Sequence, residues 1–265
     1  MFRFTHWGRI DSRTGLDQRA EVGLLSRNVR FYGEMNQDNG CRYVRTREQT
    51  NAGSPNADNN WCSYYNDING GEQDYHGAHS IVTSGFKNVH LSHIEIFNAG
   101  QPRVGRYPFH WHHAGYAGAR GGYDDPSSID SLSIHDAFSR WATIHGTHEA
   151  TISNCVGYNT FGHGFFLEDG FESYNSFIGN LGILVKPGII LPSERSNSIC
   201  GTTGDGYGYT NYDAGDHCEG LSVYWFANIH NHVHDNVAVG GNAGFWLFTH
   251  TGLRSRYTKI RTLKL

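Results

Sequence analysis

Short alternating strands recur along this chain, each closed by Asn, Asp or Gly, and that recurrence constrains the fold more than any other feature. Asn28-Val-Arg-Phe, Asn88-Val-His-Leu-Ser-His-Ile-Glu-Ile, Leu132-Ser-Ile-His-Asp, Ala150-Thr-Ile-Ser-Asn-Cys-Val, Ser176-Phe-Ile-Gly-Asn-Leu and His232-Val-His-Asp-Asn-Val share the pattern. A second set interleaves with the first: Trp141-Ala-Thr-Ile-His-Gly, Gly164-Phe-Phe-Leu-Glu-Asp-Gly and Gly244-Phe-Trp-Leu-Phe-Thr. Ile144 and Phe166 are 22 residues apart, and Asn154 and Asn180 are 26 apart. A repeat of that length holding two or three short strands predicts an all-β solenoid of stacked coils, a parallel β-helix. A leucine-rich repeat would need an L-x-x-L-x-L spacing that is absent, and a propeller blade needs about 40 residues of four antiparallel strands.

Composition agrees with stacked coils. The 265 residues include 34 Gly, which suit the sharp corners between strands, where Asn collects as well. Asn154, Asn180 and Asn236 are expected to form an internal amide ladder from coil to coil. The 15 Tyr, 15 Phe and 6 Trp argue for strands over a helical bundle. An apolar content of 38% excludes wholesale disorder. A formal charge of -4 offers no basic surface, so nucleic acid is not the expected partner. The β-helix is expected over residues 19–252, between a lead-in at 1–18 and a tail at 253–265. Two insertions are expected, at about 101–128 and 187–218, and long loops on a regular scaffold are where function concentrates.

No run approaches the roughly 18 apolar residues a membrane helix needs, and the opening residues lack the basic start and apolar core of a signal peptide. The two ends share no pattern with the interior, so the chain reads as a piece of a larger protein. Its five cysteines include no C-x-x-C pair. The extracellular reading pairs Cys41 with Cys62 and Cys200 with Cys218, leaving Cys155 as a buried thiol; the alternative keeps all five reduced.

The densest chemistry is Gly105-Arg106-Tyr107-Pro108-Phe109-His110-Trp111-His112-His113. His110 and His112 are two apart, so on a strand both imidazoles share one face, able to hold a metal or a sugar. His79, His90, His93, His135, His145 and His163 lie before and after this segment. Carboxylates are scarce, which draws notice to Asp136 after Ile134-His135 and to Glu168-Asp169 after Phe165-Phe-Leu. Cleavage of a glycosidic bond takes two carboxyl groups about 5 to 9 Å apart, and coils stacked about 4.8 Å apart can supply that separation. Tyr107, Trp111, Tyr116 and Tyr123 offer flat apolar faces for sugar rings. Arg106 and Arg120 could grip the carboxylate of a uronic acid. A divalent cation is also expected, with His110, His112 and His79 as ligands: zinc suits the histidines, and calcium suits Glu168 and Asp169.

These residues resemble the family of the cell-migration-inducing hyaluronan-binding protein and the cell-surface hyaluronidase. The stretches that carry the resemblance are Arg19-Ala-Glu-Val-Gly-Leu-Leu-Ser-Arg-Asn28, Gly105-Arg-Tyr-Pro-Phe-His-Trp-His112, Arg120-Gly-Gly-Tyr123, Thr143-Ile-His-Gly146, Gly162-His163, Phe165-Phe-Leu-Glu-Asp-Gly170 and Lys186-Pro-Gly188. They reach from about residue 17 to 250. Fibrocystin-like proteins share the first stretch and match the Arg-Tyr-Pro-x-His-x-His segment less well. The chain departs from the family at Gly77-Ala-His79 and in a longer Asn-rich segment between Cys41 and Cys62. The resemblance implies a right-handed parallel β-helix in an extracellular or cell-surface parent, acting on hyaluronan or a related acidic glycosaminoglycan. It implies a hyaluronidase of the glycosidase type; a polysaccharide lyase and a binding-only ectodomain fragment are the alternatives. The chemistry of the residues, rather than the resemblance, then assigns the roles: Asp136, Glu168 or Asp169 would supply acid and base. His110 and His112 orient substrate or metal, and Arg106, Tyr107, Trp111, Arg120, Tyr123 and His163 bind the sugar chain.

Overall fold

A computed structural model of the chain describes residues 8–15, 17, 19–33, 77–101, 105–186 and 221–247, and the backbone of 43–45 and 61–63. The strands among them are β1 (Val29–Tyr32), β2 (Tyr43–Arg45), β3 (Trp61–Ser63), β4 (Ser80–Thr83), β5 (His90–Ser92), β6 (Ile94–Phe97), β7 (Phe109–Tyr116), β8 (Ser128–Asp130), β9 (Ser133–Ala137) and β10 (Ala142–His148). They continue with β11 (Thr151–Ser153), β12 (Val156–Phe161), β13 (Phe165–Leu167), β14 (Ser176–Ile178), β15 (Leu181–Lys186), β16 (Ser222–Phe226), β17 (His232–His234), β18 (Val237–Val239) and β19 (Ala243–Leu247).

From β4 onward the chain cycles through three parallel sheets, one strand in each per coil. The sheets are β4-β7-β10-β13-β16-β19, β5-β8-β11-β14-β17 and β1-β6-β9-β12-β15-β18. This is the parallel β-helix expected from the repeat. Its coils are in register at 23 residues from Asp130 to Ser153 and at 25 from Ala150 to Asn175.

Strand alternation decides what fills the interior. Phe109, Trp111, Ala142, Ile144, Phe165, Leu167, Tyr224 and Phe226 point inward from one sheet. Ile129, Ile152 and Phe177 meet them from the second, and Ile96 and Ile134 from the third. Like residues stack coil on coil, as in Phe165 on Tyr224 at 5.2 Å and Tyr224 on Phe245 at 4.7 Å between ring centroids. A fully buried ring such as Phe165 contributes on the order of 1.5–3 kcal/mol by leaving water.

The corners explain the Asn, Asp and Gly. Between the second and third sheets the turning residue is His93, Ser131, Asn154, Gly179 and Asp235 on successive coils, each with φ between 51° and 65°. Asn and Asp are the side-chain-bearing residues that tolerate this left-handed backbone best. The runs beginning at Asn88, Ala150, Ser176 and His232 therefore each supply parts of two strands on two sheets.

The amide ladder exists through Asn180 and Asn236 as expected, with Cys155 rather than Asn154 in register with Asn180. Asn180 Oδ1 accepts the Cys155 N–H at 2.9 Å, and Asn180 Nδ2 donates to Ile152 O at 3.0 Å and to Asn236 Oδ1 at 2.8 Å. Asn154 stands outside this column, at the left-handed corner, and donates to Asp130 Oδ1. A second ladder runs through Asn175, which takes the Ala150 N–H at 2.9 Å and donates to Asn231 Oδ1 at 3.1 Å.

The stretch 101–128, expected as an insertion, contains the eight-residue strand β7; the loop proper is the segment after it, with a single 3-10 turn at Ala119–Gly121. The stretch 187–218 and the tail 253–265 lie outside the described residues. So do Cys41, Cys200 and Cys218, and Cys62 is described only in its backbone. Cys155 is a buried free thiol. Among the described residues no helix is long and apolar enough to cross a membrane.

Candidate functional site

The site lies on the outer face of the sheet β4-β7-β10-β13-β16-β19. Phe109 and Trp111 turn into the core, so His110 and His112 turn out, with ring centroids 4.9 Å apart. Parallel register then stacks outward residues into columns. Ile81, His110, Thr143, Phe166, Trp225 and Trp246 form one column. Thr83, His112 and His145 form the next, and Glu168 follows one coil on, its N–H bonded to Ile144 O at 3.0 Å.

His145 is the hub. Its Nδ1 lies 3.1 Å from His112 Nδ1 and 3.6 Å from Glu168 Oε2, and its Nε2 lies 2.9 Å from Asp169 Oδ2. The His113 ring stands 4.3 Å from the His145 ring and 4.4 Å from that of His112. His110 Nδ1 is 3.0 Å from Gly105 O. A carbonyl only accepts, so Nδ1 carries the proton and Nε2 keeps a lone pair. That Nε2 is buried and has no hydrogen-bond partner.

Electrostatics divide the histidines. Burial, helped by the neighbouring imidazoles, pushes His110 down to about 3 and His112 down to about 4. Burial pulls His145 the same way, but the Asp169 hydrogen bond and the charges of Glu168 and Asp169 outweigh it and raise His145 to about 9. The cluster therefore joins neutral, lone-pair-bearing imidazoles to one that is charge-paired with two carboxylates.

Glu172 braces this arrangement from behind. Fully buried, its carboxylate accepts the N–H groups of Gly146, Asp169, Gly170 and Phe171 at 2.8 to 3.1 Å. It thus ties the turn that presents Asp169 to the residue that follows His145. Gly146 has φ 58° and packs against the His113 ring, a position that leaves no room for a Cβ.

Of the residues expected from the sequence, His110, His112, Glu168 and Asp169 come together here. Tyr107 joins them, buried with its ring edge-on to His110 at 4.8 Å. Arg106, half-buried on the same segment, donates to Gln101 Oε1 at 2.6 Å. His163 lies further along the same face, stacked on Phe166 and tilted on Trp225 at 4.4 Å, with Nδ1 beside Ser222.

The others lie elsewhere. Trp111 is fully buried in the core and donates Nε1–H to Ser127 Oγ, so alternation removes it from any sugar-binding wall. Asp136 belongs to the sheet containing β9, at a left-handed position with φ 48°, where it pairs with His135 at 2.8 Å and accepts from Asn159. Backbone conformation accounts for an Asp there. His79 is exposed, ahead of β4, and is not among the clustered ligands. Arg120 pairs with Glu149 at 3.2 Å and lies over the Tyr174 ring. Tyr123 stacks on Phe86 and donates to its carbonyl at 2.6 Å.

His145, His113 and Glu172 are the additions. His145 was legible in the alignment of His110-Trp111-His112, Thr143-Ile144-His145 and Phe166-Leu167-Glu168, which are in structural register. Glu172 carries no comparable signal.

A family model described as the CEMIP beta-helix matches residues 75–262. The cell surface hyaluronidase of Danio rerio is 41% identical over 252 residues, covering 94% of this chain and 16% of that protein. The human cell migration-inducing and hyaluronan-binding protein is 41% identical over 239 residues, covering 89% and 16%. Human fibrocystin-L is 27% identical over 252 residues, covering 92% and 5%. This chain thus spans about a sixth of the length of the first two relatives. The match over most of its length places the chain in the CEMIP β-helix family.

Proposed function

We propose that this chain is a hyaluronan-binding and hyaluronan-depolymerising segment of an extracellular or cell-surface protein, a glycoside hydrolase module acting through the His112, His145, Glu168 and Asp169 cluster. The names of its relatives support the substrate class. The single observation that carries the chemistry is the carboxyl pair at the end of β13: Glu168 and Asp169 each reach His145, and their nearest oxygens lie within 4.8 Å of each other.

A retaining glycosidase holds its two carboxyl groups about 5–5.5 Å apart, and an inverting one about 6.5–9.5 Å. The pair here supplies two carboxyl groups beside one imidazole, as either arrangement requires. Asp169 is the more open of the two, with 11% of its side chain exposed against 3% for Glu168. Asp169 therefore meets the substrate first, with His145 holding its carboxylate in place. His110 and His112 border the pair, and Arg106 is the cation offered to the uronate.

The burial of Glu168 favours a second reading, a module that binds hyaluronan without cutting it. Hyaluronan chain length after incubation with the full chain separates the two. Shortening that is lost in Glu168→Gln and His110→Ala supports the hydrolase; binding without shortening supports the binding module. Full activity in both variants would place the site elsewhere. A product absorbing as an unsaturated uronide would instead make it a lyase.

A further inference from the structure

We infer that His110, His112, His145 and Glu168 form a four-ligand site for a transition metal ion of the zinc type, with Asp169 and the Gly105 carbonyl orienting two of the imidazoles. The inference concerns metal binding alone and stands whether or not the chain cleaves hyaluronan.

Two groups of possible ligands, His110-His112-His145 and His145-Glu168-Asp169, share His145, and the separations at its Nδ1 suit zinc. Donor atoms of a tetrahedral zinc site with bonds of about 2.0–2.1 Å lie about 3.3–3.4 Å apart. Around His145 Nδ1, the separations are 3.1 Å to His112 Nδ1 and 3.6 Å to Glu168 Oε2, which bracket that value. One nitrogen each of His110, His112 and His145 lies within 4.8 Å of the others.

The partners of the outward-turned nitrogens point the same way. A metal-bound imidazole typically donates its other N–H to a carboxylate or a carbonyl. His145 Nε2 meets Asp169 Oδ2 at 2.9 Å, and His110 Nδ1 meets Gly105 O at 3.0 Å. The second of these leaves His110 Nε2 as the nitrogen to offer, and it is fully buried without a partner. A buried lone pair with nothing to accept from is costly unless something binds it.

Three nitrogens and one carboxylate oxygen select zinc or a neighbouring first-row ion over calcium, which takes six to eight oxygens. The ligands come from β7, β10 and the residue after β13, so a bound ion would clamp three consecutive coils. Four protein ligands make a closed, structural type of site. With Glu168 held by the metal, Glu168 and Asp169 no longer serve as two free carboxyl groups, so a loaded site favours the binding module over the hydrolase.

The test uses the full chain, stripped with a chelator and titrated with zinc chloride alone, with elemental analysis after gel filtration. One zinc per chain is expected, together with a higher melting temperature in zinc than in chelator. Cobalt(II) should give the intense visible bands of a four-coordinate site. Asp169→Asn keeps all four ligands and should weaken zinc binding about 10- to 100-fold, while His79→Ala should leave it unchanged. Circular dichroism of each variant separates lost ligands from lost fold. Folded wild-type chain that takes up neither zinc nor cobalt would overturn the inference, as would equal losses in His79→Ala and Asp169→Asn.

Discussion

The Glu172 carboxylate accepts the Gly146 N–H at 2.9 Å from the coil before it, joining the backbone beside His145 to the turn that carries Asp169. Three further amides close on the same carboxylate. Glu172→Ala would leave the buried Gly146 N–H and three part-buried amides without their acceptor, and an unmet buried donor costs about 1–3 kcal/mol. A loss on the order of 3 kcal/mol or more is expected even after relaxation, read as a lower urea midpoint. An Ala variant as stable as wild type would show that the cradle is not needed.

The Asn180 ladder gives a second contrast. Asn180 is buried and bonds Cys155 N–H, Ile152 O and Asn236 Oδ1, whereas Asn154 sits at an exposed corner. Asn180→Ala is expected to cost about 2 kcal/mol or more. Asn154→Gly, which suits the left-handed backbone, should cost within about 0.5 kcal/mol. Thermal melts of the two variants check the order, and equal losses would contradict it.

Trp141 fixes the spacing between coils in a third place. A Cβ on Gly164 would collide with the Trp141 ring and with Val223 O. Gly164→Ala should therefore destabilise by about 1–3 kcal/mol through overpacking. Pairing it with Trp141→Phe should recover part of the loss in a double-mutant cycle, and strict additivity would show that the ring is not what Gly164 accommodates.

His135 supplies a pH dependence away from the candidate site. Burial alone would lower its pKa, but hydrogen bonds and charges from Asp136 and Glu95 reverse this and raise it above 6.5. Glu95 and Asp136 lie below their ordinary values, despite burial, through His135 and other partners. Arg30 and Lys186 complete the charged surroundings. The raised His135 contributes stability that is full below the unfolded pKa and is lost as pH rises through the folded one. The lowered carboxylates contribute stability that is lost as pH falls. Wild type should therefore lose more stability than His135→Gln between about pH 5.5 and about pH 8.5, by urea unfolding. Parallel pH profiles would rule the linkage out.

The coil repeat was legible because corners and strands recur with the same residue types. The register was not. Ile144 stands opposite Leu167 rather than Phe166, and Asn180 opposite Cys155 rather than Asn154. A one-residue slip moves every side chain to the other face, and setting Ile144 against Phe166, a slip separate from that of the ladder, obscures the step from His145 to Glu168. Trp111 reads as a sugar-binding face by residue type alone, although the alternation that turns His110 and His112 outward buries it. Asp136 read as a catalytic acid because its left-handed backbone has no signature beyond the Asp itself. Glu172 was invisible because its partners are backbone amides from two coils.

Hyaluronan chain length, measured by gel electrophoresis after incubation with wild type, Asp169→Asn and Asp136→Asn, tests most directly whether the His145 cluster is the functional site. Wild type and Asp136→Asn are expected to shorten the polymer, and Asp169→Asn to lose at least about tenfold in rate, as for removal of a proton-transfer group. Loss in Asp136→Asn with activity kept in Asp169→Asn would contradict the assignment, and so would a folded wild-type chain that neither binds nor shortens hyaluronan.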